Sequence, residues 1–295
     1  MRQDVFQKEV LAKCEALTRA RIWPSQSDIR FRAWLNNFDE QDKGIAAFLL
    51  DKFTFFSDSY TDRLLKTVYD NLADQFPDFK DDELRELFKR IKIAPLEGEC
   101  PNPSDSGNLL CRKMRRNFRI PESNIVSPQD ALSSAIEGEL ILFVDDFIGS
   151  GDQFINTWTR DYRDQFPTAF SYLRPDDGAT FIVLTLACTK KGFQRIAEDA
   201  SDVRVTACHF LDERSSVFDL SSNYYSQADL EAFLDKYSYR LAPREHYIRE
   251  NREFLKYGYH KLGLLLGFEH SIPDATLPIF WSPGTNNWTP LFERT

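Results

Sequence analysis

Five apolar residues, Leu140 to Val144, run directly into two adjacent carboxylates, Asp145 and Asp146, and three residues later into Gly149-Ser150-Gly151-Asp152. An apolar run this short, bounded by turn formers, reads as a buried strand rather than a helix. The glycines mark a tight turn, and a helical pattern starts near Gln153. A strand, an acidic pair, a glycine loop and a helix N-terminus in so few residues form a βα turn, the unit of a parallel sheet. Ligands of open parallel sheets bind outside the carboxyl ends of the strands. There the N–H groups of such a loop can hold a phosphate. Neighbouring carboxylates can address sugar hydroxyls or a divalent cation.

The surrounding sequence supports that sheet. Strands are expected at Ile91–Leu96, Ala179–Ala187, Val203–Leu211 and Leu262–Phe268. Between them, helical spacing predicts helices over 109–118, 128–136, 153–166, 190–199, 227–241 and 244–257. Residues 1 to about 90 carry only helical patterns, with Ser27 or Asp28 opening the second helix. The expected organisation is an N-terminal helical subdomain over 1–90, followed by an α/β parallel-sheet domain over 91–295. Its Pro-rich, aromatic tail is expected to be a folded loop. Most of the 25 Phe and 11 Tyr are expected in the core.

Net charge is −9, which disfavours a protein that coats nucleic acid by charge alone. Arg112, Arg115, Arg116 and Arg119 nevertheless share one face of the helix expected at 109–118. That stripe is either a solvated face or a receiver of phosphates. The five cysteines include no Cys-x-x-Cys spacing, and the four histidines show no metal-ligand spacing. This pattern suits a reduced chain without a disulfide framework or zinc site. The first residues lack the apolar run of a signal peptide, and no run is long enough to span a membrane. The expected location is the cytoplasm.

The stretch VDDFIGSGDQ resembles the ribose-phosphate motif of type I phosphoribosyltransferases. That resemblance implies a phosphoribosyltransferase-like core in which Asp145 and Asp146 contact the ribose 2′ and 3′ hydroxyls of phosphoribosyl pyrophosphate. Gly149, Ser150, Gly151, Asp152 and Gln153 would wrap the 5′-phosphate. Mg2+ would ride on pyrophosphate and ribose oxygens, with Asp145 and Asp146 as its nearest protein carboxylates. The family also has an earlier pyrophosphate loop, and Ser106, Gly107 and Asn108, within Ser104–Asn108, stand in the right order for it. A C-terminal aromatic residue often stacks on the base, and Trp281 is the candidate. The helical front and the tail look most like the divergent phosphoribosyltransferase-like domains of bacterial conflict systems, including retron-type defence. This implies an effector with a ribose phosphate or nucleotide ligand, partnered by a reverse transcriptase or nucleic acid.

Two departures from the motif separate competing functions. Gln153 stands where the family has Thr, and Asp152 adds a negative charge to the phosphate loop. An enzyme would transfer or hydrolyse a group at C1′ with Mg2+. A nucleotide-sensing module without catalysis, controlling a partner, is the alternative that Asp152 and Gln153 favour. A metal-dependent phosphohydrolase built on Asp145 and Asp146 would need further carboxylates converging on one ion.

Overall fold

The computed structural model describes residues 3–25, 28–98, 101–103, 105–174, 178–220, 225–241 and 252–293. Ser27, Ser104 and most of the helix expected over 244–257 lie outside the described residues. The chain divides into two compact units, one of residues 1–61 with 212–295 and the other of residues 62–211. The boundary expected near residue 90 is therefore not where the contacts divide.

The central unit, 62–211, holds the expected parallel sheet. Its strands β2 (Lys92–Pro95), β3 (Leu140–Ile148), β4 (Thr180–Thr189) and β5 (Val203–Leu211) lie side by side in sequence order, all parallel. Parallel neighbours need crossover segments, which α6 (Ser106–Phe118), α7 (Pro128–Ile136), α8 (Asp152–Thr159) and α9 (Lys190–Asp199) supply in part. Alternate residues of a strand point to opposite faces. Ile141 and Phe143 accordingly pack with Phe181 and Val183, under Phe154 and Trp158 of α8 and Leu132 of α7, in one buried cluster. Two local expectations change. Helix α8 ends at Thr159, short of residue 166. Strand β3 does not stop at Val144 but continues through both aspartates to Ile148, because β4 stays in register with it as far as Cys188.

The other unit joins the two ends of the chain. It contains α1 (Gln3–Arg19), α2 (Phe31–Leu35), α3 (Lys43–Lys52) and β1 (Thr54–Phe56) from the front. The C-terminal part adds α10 (Gln227–Ser238), α11 (Arg252–Tyr257), β6 (Leu266–Phe268) and α12 (Pro278–Trp281). The last expected strand is present as β6, but it pairs with β1 in a separate two-stranded parallel sheet. The front is thus not purely helical: Thr54-Phe55-Phe56 is too short to display a strand period. One aromatic core binds the two ends. The Trp34 ring stacks on Phe280 at 5.2 Å, and its indole N–H donates to the Ile279 carbonyl at 2.8 Å. Phe38 meets Trp288, and Phe53 meets both Phe280 and Phe292. The helix α4 (Asp58–Asp70) carries the boundary between the two units, and α5 (Asp81–Lys89) follows it in the central one. No helix among the described residues is long and apolar enough to cross a membrane.

Candidate functional site

The acidic pair lies inside β3 and is withdrawn from water, Asp145 being 1% and Asp146 4% exposed. Burying adjacent carboxylates is unfavourable unless donors or protons compensate. Part of the compensation is visible at Asp145. The Ser106 hydroxyl donates to its Oδ1 at 2.6 Å, and the Asp146 backbone N–H donates to the same oxygen at 3.0 Å. Burial still dominates. Desolvation, and then the charge of Asp146, hold the Asp145 carboxyl well above the usual carboxylate range. In this state Asp145 favours retention of its proton, and a cation or a hydroxyl donor delivered by a ligand would favour its release.

Ser106 begins α6, so the candidate pyrophosphate segment and the acidic pair meet. Close backbone approach makes this possible. A Cβ on Gly107 would stand 2.9 Å from the Val144 carbonyl oxygen, 3.0 Å from Pro95 Cβ and 3.1 Å from the Leu96 nitrogen. Only glycine seats the first turn of α6 this deeply between β2 and β3. Asn108 turns away from the acidic pair, its side-chain amide donating to the Asn102 carbonyl at 3.2 Å.

The glycine loop follows directly. Gly151 has φ +86° and precedes α8, a conformation that favours glycine. The Ser150 hydroxyl, buried, accepts the Asp152 N–H at 3.3 Å. Asp152 and Gln153 occupy the first turn of α8 and are half-buried. The Gln153 side-chain amide reaches the Leu96 carbonyl across a long 3.5 Å. The residue that replaces the family's Thr thus faces the end of β2. A wall not foreseen from sequence closes the loop's other side. Thr189 caps α9 and donates its hydroxyl to the Gly149 carbonyl, while its oxygen accepts the Gly192 N–H at 2.9 Å. Arg195 lays its aliphatic stem on Gly151, where an added Cβ would find it at 3.2 Å. The signal for this wall was the strand-to-helix turn Thr189-Lys190-Lys191-Gly192, which carries no recognisable motif of its own.

Trp281 is placed differently from expectation. It is 2% exposed, within the aromatic core of the unit formed by the chain ends, with its indole N–H donating to the Thr276 carbonyl at 2.9 Å. A ring used this fully for packing has no face open to a base, so the stacking role is corrected to a core role. The basic face of α6 is exposed at Arg112, Arg115 and Arg116, whereas Arg119, also exposed, lies past the helix as its left-handed C-cap. Two of its cations are engaged, Arg115 with Glu122 at 2.9 Å and Arg116 with Asp62 at 3.5 Å. Lys113 on the same helix is buried and pairs with Asp62 at 2.8 Å. Burial pushes the Cys111 thiol up to about 12, which favours the neutral thiol over the thiolate.

Among the described residues no three of His, Cys, Asp and Glu gather to hold a metal. Mg2+ usually keeps several waters and takes one or two carboxylates together with ligand phosphates. Asp145 and Asp146 are the residues that could face it. A phosphohydrolase needing a third convergent carboxylate gains no support.

Comparison with known proteins adds the family. The family model described as PRTase-CE matches residues 31–294. The crystal structure of orotate phosphoribosyltransferase from Aeropyrum pernix is similar with a TM-score of 0.29 and 13% identity, over 52% of this chain and 69% of that one. No curated protein matches the chain significantly.

Proposed function

Because this chain belongs to the PRTase-CE family and is phosphoribosyltransferase-like in core and motif, we propose that it binds a ribose 5-phosphate ligand at the carboxyl end of β3. The ligand is phosphoribosyl pyrophosphate or a nucleotide. One observation carries this reading: the hydrogen bond from Ser106 to Asp145 unites two segments that sequence order alone had paired as pyrophosphate loop and ribose motif. In the proposed complex, Asp145 and Asp146 accept from the ribose hydroxyls and Gly149–Gln153 take the 5′-phosphate. Ser106 and Gly107 border the pyrophosphate.

Chemistry at C1′ develops positive charge on the sugar, which buried carboxylates stabilise. Mg2+, when bound, would neutralise the leaving pyrophosphate. We place the activity in bacterial defence, with a reverse transcriptase or nucleic acid as partner. The resemblance to conflict-system domains supports that setting. The sensing alternative draws on Asp152, which brings a carboxylate into the phosphate-loop helix without the family's Thr beside it.

The decisive experiment adds phosphoribosyl pyrophosphate and Mg2+ to the purified protein. Binding should raise the Tm, since ligand at 100 times its Kd stabilises by about 2.7 kcal/mol. Turnover with water as acceptor should release pyrophosphate and ribose 5-phosphate. The Asp145→Asn/Asp146→Asn protein should show neither effect. Binding without turnover under any condition selects the sensor. Comparing the metabolites of cells expressing the wild type with those expressing the double variant would then identify the base.

A further inference from the structure

Residues 157–162 connect the two halves of the candidate site. The Thr157 side chain, fully buried, accepts the Glu97 N–H at 3.1 Å and lies 3.1 Å from the Gln153 carbonyl, to which it can donate. Arg160 reaches the same segment twice. Its guanidinium meets the Glu97 carboxylate at 2.9 Å and donates to the Gly98 carbonyl at 2.8 Å. The Tyr162 hydroxyl donates to the same Glu97 oxygen at 2.9 Å. Glu97 and Gly98 follow β2, and Gly98 lies beside the start of α6, since a Cβ there would stand 3.8 Å from Asp105 Oδ2. Asp105 in turn accepts the Asn102 N–H at 3.0 Å and immediately precedes Ser106. Leu96, directly before Glu97, lies against Gly107, where a Cβ would stand 3.1 Å from its nitrogen, so the phosphate-loop helix and the segment of Ser106 and Gly107 both meet residues 96–98.

The network has the marks of a rigid brace. Arg160 and Glu97 are only 25% and 21% exposed at their side chains, so their pairing is far less screened than a surface ion pair. The guanidinium satisfies a carboxylate and a carbonyl at once, a fork that lysine does not reproduce. Burial and the neighbouring Glu97 charge hold the Tyr162 phenol up, so it stays a protonated donor. A surface strap would not need a charged pair, a phenol and a buried threonine all on Glu97 and its backbone.

We infer that Glu97, Arg160 and Tyr162 are positioning residues that set the distance between the 5′-phosphate loop and the pyrophosphate segment. This rests on the ribose-phosphate reading above and adds to it a specificity for a ligand phosphorylated at both ends. A sugar carrying only the 5′-phosphate engages the α8 side alone and does not depend on the brace. Phosphoribosyl pyrophosphate engages both sides and does.

The test measures the Kd of ribose 5-phosphate and of phosphoribosyl pyrophosphate, each with Mg2+, on wild type, Arg160→Met, Arg160→Lys and Tyr162→Phe. Arg160→Met should weaken phosphoribosyl pyrophosphate at least tenfold and ribose 5-phosphate less than twofold. Arg160→Lys should recover only part of the loss. Tyr162→Phe keeps the ion pair and is the milder variant should Arg160→Met fold poorly, with an expected loss of threefold to fivefold confined to the pyrophosphate ligand. Equal loss for both ligands, or unchanged affinity for both, overturns the inference and leaves the ribose-phosphate reading in place. Wild type that binds the two ligands equally overturns it too, because no pyrophosphate segment is then engaged. Wild type that binds neither removes the ribose-phosphate reading itself, and the brace with it.

Discussion

Asp145 is a residue that the fold keeps against its own stability. Its folded-state carboxyl is raised above the ordinary value by burial and by Asp146. For a raised acid the sign is fixed by linkage: its contribution is fully present below the unfolded value of about 3.9 and is lost as pH rises through the folded value. Asp145→Asn keeps an acceptor for Ser106 and removes the charge. We expect the ligand-free variant to melt above wild type at pH 8, and the gap to shrink towards pH 4.5. Each kcal/mol gained is worth roughly 2–4 °C at this size. Thermal melts over that pH range check it, and a variant that melts lower at every pH would show that the charge is not the cost. The same residue was legible in sequence, because two acids after a buried run are conspicuous. Its partner was only ordered correctly: nothing about Ser106, 39 residues earlier, says that its hydroxyl would reach Oδ1.

At the scale of elements, the site depends on how closely helices approach strand ends. Gly107 is the tightest case, with backbone atoms of Val144 and Leu96 occupying the space of a side chain. Gly107→Ala gains about 1 kcal/mol of helix propensity but must push α6 away from two strands, at a cost of about 1–3 kcal/mol. The expected result is a small net loss of Tm, together with a larger loss of phosphoribosyl pyrophosphate affinity as Ser106 withdraws from Asp145. Calorimetry on the variant separates the two effects. The strands β2 to β5 were readable from their apolar runs, since burial on both faces demands such runs. The length of β3 was not. Two carboxylates look like the end of a strand, and only the register with β4, which pairs Asp145 with Thr185 and resumes at Phe147, carries the strand past them.

At the scale of the whole molecule, the chain ends form one unit and the middle forms the other. Trp34, Phe38 and Phe53 from the front share their core with Phe280, Trp288 and Phe292 from the tail. Removing residues 1–61 should therefore leave the C-terminal segment without its packing partners, whereas a 62–211 fragment should keep its sheet. Limited proteolysis and near-ultraviolet circular dichroism of the two fragments test this. Rapid cleavage after residue 211 is expected in the 62–295 fragment, and resistance there would argue that the tail folds without the front.

The sequence by itself determined the parallel sheet, the order of its strands along the chain and the acidic glycine motif, because local periodicity and turn chemistry act over a few residues. It also determined that α6 would present Arg112, Arg115 and Arg116 together, since a 3.6-residue period fixes a face, but not that Arg119 would end the helix in a left-handed cap. Tertiary structure alone decided which segments meet. It paired β6 with β1 rather than with the sheet, put Trp281 into a core and joined the chain ends into one unit. It also set Glu97 against Arg160 and Tyr162. Apolar faces state that they must be buried but not against what, and a carboxylate does not announce which distant hydroxyl or guanidinium will compensate it.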